Sequence, residues 1–256
     1  MLPLIDEFSP RRFPILTVLL ILMCVAIFGY QQSLPSNAAA GSTQAFECTW
    51  GMIPSEVVHG PAPALALDNP ANAGAPLTCQ GLNQQHNRYL TVITSIFLHA
   101  NWWHLLGNML ILWVFGANVE DRLGRIRFLP FVIGCGALAG LAQAFSEPSS
   151  TAVIIGASGA IAALIGAYLV LFPRVGIWTL MFFVIPMKIP AWIWGAIFIL
   201  VQLVDISGTS GASATGIATV AHLAGVAIGA AAIRLVAWRR PPHEMVPRTF
   251  RLLAAR

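Results

Sequence analysis

The stretch "IIGASGAIAALIGAYLVLFP", residues 154–173, carries no charge and sets Ser158 among glycines and alanines. As a helix of about 20 residues it would reach about 30 Å, the thickness of a bilayer's hydrocarbon core. The stretch therefore reads as a membrane span, and it raises a question about its serine. Small neighbours suit close helix packing. They would equally let a second side chain and a peptide reach a nucleophile.

The rest of the chain agrees with a membrane setting. Apolar residues make up 57% of it and charged ones only 9%, against about 25% charged in an ordinary soluble domain, which excludes the soluble globular class. Six apolar runs can be drawn, at about 13–30, 90–119, 126–145, 152–172, 191–204 and 217–238. Residues 175–189, broken by Gly176, Pro186 and Lys188, read as an interfacial connection. Gly134, Gly136 and Gly140 in the third run read as packing surface. The expected fold is an all-α membrane protein, a six-transmembrane-helix bundle with both termini cytoplasmic. Residues 1–12 form the N-terminus, 13–238 the membrane domain with an outer loop at 31–89, and 239–256 a basic tail.

Lysine and arginine collect on the cytoplasmic side of membrane spans. With the N-terminus inside, every one of the 14 basic residues except Arg88 falls inside. The net charge of +4 is then a membrane-surface feature and points to no nucleic acid; the tail faces anionic headgroups. Arg11 and Arg12 before an apolar run resemble a secretory signal. The run is long for one, and cleavage would discard a span, so it is read as a span.

The outer loop is long enough to expect a functional role for it. Within it "CTWGMIPSEVVHG" reads as a short surface helix, with Pro54 in its first turn and Gly60 at its end. Cys48 and Cys79 lie in this loop, on the oxidising side of a plasma membrane, and are expected to form a disulfide. Cys24 and Cys135 lie in spans.

A polar group inside hydrocarbon is costly and so a functional candidate. The candidates are His99, His104 and Asn108 in the second run, Ser158 in the fourth and His222 in the sixth. Gln143 and Gln202 fall near outer ends, where water reaches. Counted from the cytoplasmic ends of their runs at about 1.5 Å per residue, Ser158 stands about 22 Å deep and His104 and His222 about 24 Å. Serine and histidine at one level can make a nucleophile and its base. His104 and Asn108, four apart, share a helix face and could donate hydrogen bonds to a developing oxyanion. Ser158, Ala162 and Gly166 form a small-residue stripe, and Ala221, Gly225 and Gly229 form another. Packing these stripes together would bring Ser158 toward His222, so packing and chemistry are compatible. A zinc-protease HExxH pattern is absent, no metal site is expected, and His99 and His104, five apart on one helix, would point away from each other. No buried aspartate pair supports an aspartyl mechanism. A small transporter using the same polar groups is the remote alternative, without the internal repeat that would favour it.

The segments "HANWWHLLGN" (99–108), "GASGA" (156–160) and "AHLAGVAIG" (221–229), in that order, together resemble the rhomboid family of intramembrane serine proteases. "LWVFGANVEDRLGRIRF" after the second run and "WGMIPSEV" in the first loop are similar to family segments as well. The resemblance implies Ser158 as nucleophile and His222 as general base, with an oxyanion hole from His104, Asn108 and the Ser158 backbone N–H. It implies supporting roles for Gly156 and Gly159, while His99, near the outer surface, is read as a structural residue bonding loop groups. The implied activity is cofactor-free cleavage of transmembrane segments of other proteins near the outer face of a bacterial plasma membrane. The fifth span and "DISGTSGASATG" after it would act as gate and cap. Where many members place an aromatic one turn after the serine, this chain has Ala162, and the Trp-Arg pair some carry in the first loop is missing. With no carboxylate at the depth of His222, a dyad is expected in place of a triad. The alternative is a rhomboid-like pseudoprotease that binds membrane segments without cutting them.

Overall fold

The computed structural model describes residues 2–35, 42–60, 79, 87–181, 184–207, 218–237 and 246–247. Of "DISGTSGASATG" (205–216), expected to act as a cap, residues 208–216 lie outside the described residues, as does most of the outer loop beyond 60 and of the basic tail. Two short strands, β1 (Leu2–Asp6) and β2 (Phe8–Ser9), precede α1 (Ile15–Ser33). The outer loop folds as α2 (Thr43–Trp50) and α3 (Pro54–His59). A single turn, α4 (Thr91–Thr94), comes before α5 (Trp102–Ile111), a π-helical stretch Leu112–Gly116 and α6 (Ala117–Leu123). Then follow α7 (Arg125–Ser146), α8 (Ser158–Leu171), β3 (Gly176–Met181), β4 (Ile185–Pro190), α9 (Ala191–Ser207), α10 (Thr219–Ala237) and β5 (Val246–Pro247).

Among the described residues, α1, α7 and α10 are long and apolar enough to cross a membrane, and α8 and α9 are shorter apolar helices. Exposed side chains on α1 (Leu19, Leu22, Val25) and α9 (Leu200, Val201, Val204) are apolar, as a lipid-facing surface requires. Helix α8 is the exception: Ala160 through Tyr168 are all buried, because its neighbours surround it. A helix apolar on every side belongs in such a central position.

The expectation of an all-α fold needs correction. Residues 175–189 are a hairpin, β3 and β4, and β1 adds to it with Leu2 opposite Leu180 and Asp6 opposite Ile177. Trp178, Thr179, Ile177 and Ile189 suit a pleated surface, and the prolines stand at positions 186 and 190 of β4, an edge strand of this sheet. Asp6, buried behind this sheet, accepts hydrogen bonds from Tyr168 Oη of α8 (2.9 Å) and from Asn118 Nδ2 of α6. Lys188 Nζ sits 2.9 Å from Glu7 Oε1 and holds that carboxyl below its ordinary range. The hairpin thus ties the N-terminal segment to the C-terminal end of α8. On the same side Glu120 of α6 caps α1, its Oε2 accepting from Thr17 N (2.7 Å) and Thr17 Oγ1 (2.8 Å).

The second and fourth runs also differ from the expectation. Residues 98–101 are not helical, so α5 starts only at Trp102, where Asn101 caps it through Oδ1 accepting from His104 N at 2.9 Å. Residues 152–157 are likewise outside α8, which has its first residue at Ser158. Met52 and Ile154 form an antiparallel bridge, with N–H to O distances of 3.0 and 2.8 Å, and Ser55 N donates to Ser150 O. The outer loop therefore holds in place the extended segment that delivers Ser158.

The small-residue stripes meet. A Cβ placed on Gly225 would lie 2.9 Å from Ala162 Cβ, one on Gly229 would overlap the Ala163 carbonyl, and one on Gly166 would overlap that of Val226. Helices α8 and α10 are in backbone contact, an approach that only glycine permits. Gly136 and Gly140 of α7 likewise face Ala160 and Met52, whereas Gly134, read as packing surface, faces open space. Gly229→Ala is expected to lower stability by about 1–3 kcal/mol through overpacking, seen as a lower Tm in detergent. Gly134→Ala should leave Tm unchanged; equal Tm values for the two variants would contradict the backbone contact.

In the structure Cys48 and Cys79 are bonded across a sequence separation of 31. Cys48 is fully buried beside Ile53, one residue from the Met52 bridge. Closing a loop of this length contributes about 3–4 kcal/mol in the chain-entropy description. Reducing the bond, or the paired Cys48→Ser and Cys79→Ser changes, should lower Tm; an unaltered Tm after complete reduction would show the loop to be held by other contacts.

Candidate active site

Ser158 is the first residue of α8, and Ala157 before it offers no side-chain cap. The N–H groups of such a helix start carry positive partial charge and favour an anion. Gly156 has φ +128°, a conformation that strains any side chain, and its N–H donates to Ser95 O at 2.8 Å. A Cβ on Gly156 would lie 2.7 Å from His104 Nε2 and 3.8 Å from Asn108 Nδ2. The turn leading to the serine thus lies directly against the two donors of α5. Asn108 Nδ2 is buried and makes no hydrogen bond to any described residue, although leaving a buried donor unpaired costs about 1–3 kcal/mol.

His99 and His104 do not point apart. Their rings meet edge to face at 5.2 Å, because His99 lies on the extended segment before α5 and not on a continuous helix. His99 is fully buried. Its backbone N–H donates to Gln31 Oε1 (3.2 Å), and its carbonyl accepts from Gln31 Nε2 (3.4 Å). It therefore buttresses the His104 ring from α1.

His222 lies in the first turn of α10. A Cβ on Gly159 would lie 3.8 Å from Ala221 Cβ, so Ser158 and His222 are each next in sequence to one of two residues in contact. Gln143 and Gln202, expected near water, are both buried, 4% and 7% exposed. Gln143 Oε1 accepts from Ala221 N at 3.1 Å and so caps the start of α10 from α7. Gln202 Oε1 lies 3.1 Å from His222 Nδ1, and Phe198, one turn earlier on α9, lies with its ring centroid 6.2 Å from the imidazole. Position 162 carries only a methyl group, packed close to Gly225; the aromatic ring beside His222 comes from Phe198 of α9. The sequence signal for Gln202 was a lone amide in an apolar helix, four residues after an aromatic.

His59 of α3 is exposed, and His86 and His243 lie outside the described residues. The fold and this cluster define a membrane-embedded helical protein with a serine at a helix start, the turn before it lying against two donors and the residue after it against the helix that carries His222. The family model of the rhomboid domain matches residues 86–239, more than half of the chain, and the chain belongs to the rhomboid family.

Curated relatives agree. The chain is 37% identical over 93 residues to "Putative rhomboid protease YdcA" of Bacillus subtilis, covering 36% of this chain and 46% of that protein. It is 34% identical over 109 residues to "Rhomboid protein 1, mitochondrial" of Saccharomyces cerevisiae, covering 41% and 30%. To "Rhomboid-like protein 11, chloroplastic" of Arabidopsis thaliana it is 38% identical over 69 residues, covering 27% and 24%. The matched part spans less than half the length of each of these relatives.

Proposed function

We propose that this chain is an intramembrane serine endopeptidase that cleaves transmembrane segments of other proteins with a Ser158–His222 dyad and no cofactor. Six spans, counting α5 to α6, α8 and α9 with the three long helices, would leave residues 1–12 and 239–256 in the cytoplasm. The site would open toward the outer face of a plasma membrane. The placement of basic residues supports this orientation.

The observation that carries the reading is the meeting of the Gly156 turn with His104 and the unpartnered Asn108 Nδ2. A buried donor without a partner, aimed at a helix start that begins with serine, suits an oxygen that is negative only during reaction. In the step itself, Ser158 Oγ bonds to the carbonyl carbon of the scissile peptide as its proton passes to His222 Nε2. The carbonyl oxygen takes the negative charge and accepts from Asn108 Nδ2, the His104 ring and the Ser158 backbone N–H. His222 then returns the proton to the departing amide nitrogen, the C–N bond breaks, and an acyl ester remains on Ser158. Water, deprotonated by His222, hydrolyses the ester and restores the hydroxyl.

A fluorophosphonate probe tests this without knowledge of the substrate. Purified protein in detergent should acquire one adduct, mapped by peptide mass to Ser158, and His222→Ala should lose it. Absence of labelling in the folded protein would favour a pseudoprotease that binds segments without cutting them, and labelling elsewhere would remove Ser158 from its role.

A further inference from the structure

We infer that Gln202 is a positioning residue that fixes His222 in the Nδ1–H tautomer, leaving the Nε2 lone pair free to accept the serine proton. The inference deepens the proposed dyad and rests on it. A neutral imidazole carries one N–H, and the hydrogen bond made by one ring nitrogen decides which form is present. Only the Nδ1–H form leaves Nε2 basic. Gln202 Oε1 stands 3.1 Å from Nδ1; with the amide in this orientation its oxygen can only accept, which assigns the proton to Nδ1.

The surroundings make this bond a fixed one. Gln202 is more than nine-tenths buried, so water does not compete freely for its amide. Trp194, Phe198 and Gln202 recur at four-residue spacing and share one face of α9. Trp194 is nearly fully buried; its ring stacks on Phe198 at 5.8 Å and meets Phe115 at 4.9 Å. That anchored stripe sets the amide against Nδ1 and the Phe198 ring beside the imidazole. The opposite face of α9, with Leu200, Val201 and Val204, is exposed. Gln202 thus occupies the place a carboxylate fills in a Ser-His-Asp triad, without bringing a charge into the membrane. The carboxylate on the same helix, Asp205, lies almost one turn further on.

The test compares Gln202→Met, which keeps length and removes the acceptor, with Gln202→Glu, which keeps an oxygen acceptor. Nitrogen NMR of protein labelled with ¹⁵N-histidine, in detergent without substrate, should show His222 as the Nδ1–H tautomer in the native chain and in Gln202→Glu. In Gln202→Met the Nδ1–H form should lose its dominance. Fluorophosphonate labelling of Ser158 should slow about 10- to 100-fold in Gln202→Met, as for other removed orienting partners of a histidine, and recover in Gln202→Glu, with Tm reported for each. An Nε2–H tautomer in the native chain, or native labelling rates in a folded Gln202→Met, overturns the inference. A native chain that shows the Nδ1–H tautomer but never labels overturns the dyad and leaves the hydrogen bond standing, so the two failures are distinct.

Discussion

Ser158→Ala is expected to lower cleavage of a labelled single-span substrate by at least about 10⁴-fold, and His222→Ala by a similar factor. Nucleophile and base act as one unit, so the double variant should be no slower than either single one. The substrate should carry small, helix-weakening residues in its membrane segment, and cleavage is read by gel and product mass with purified protein in detergent. Ser158→Ala removes one hydroxyl at the helix start and leaves untouched the contacts of Gly159, Ala162, Ala163 and Gly166 of α8 with Ala221, Gly225, Val226 and Gly229 of α10. Ser158→Ala should therefore keep its native Tm, so that lost cleavage cannot be ascribed to unfolding. Additive effects of the two substitutions would mean that they do not share a step. Cleavage that survives Ser158→Ala would sink the mechanism outright.

What the sequence made legible follows from constant helical geometry. A fixed rise per residue gives Ser158, His104 and His222 one expected level, and four-residue spacing marks the stripes by which α8 and α10 pack. Helix starts were harder. Residues 152–157 are as apolar as the helix they precede, but they are tied to the outer loop at Met52 and turned by Gly156 at φ +128°. Hydropathy does not distinguish a buried extended segment from a helix. The same limit hid the break at 98–101 and so the packing of His99 on His104. The sheet of β1, β3 and β4 joins Leu2–Asp6 to residues 171 to 178 positions away, a pairing with no local signal. Gln202 was visible as a polar residue but not as a partner, because its partner, His222, comes from another helix. The aromatic ring beside His222 was hidden for the same reason: it comes from Phe198 of α9 and not from position 162 of α8.

Asn108→Leu is expected to lower kcat by about 10²- to 10³-fold, the usual effect of removing one oxyanion donor, with KM nearly unchanged. The ground-state carbonyl needs little from the donor, and the charge that needs it exists only at the transition state. The same substitution should leave Tm equal to that of the native chain or raise it. In the resting protein Asn108 Nδ2 is a buried donor without a partner, and replacing it by an apolar side chain of similar size removes that cost. A stabilised, folded and slow enzyme is therefore the expected result, read from thermal unfolding and steady-state cleavage on one preparation. His104→Ala gives no such separation, because its ring also packs against His99 and against the Gly156 turn; it should lose both rate and stability. A fall in Tm for Asn108→Leu that matched the fall in rate would make Asn108 a structural residue and leave the oxyanion with the α8 helix start and His104 alone.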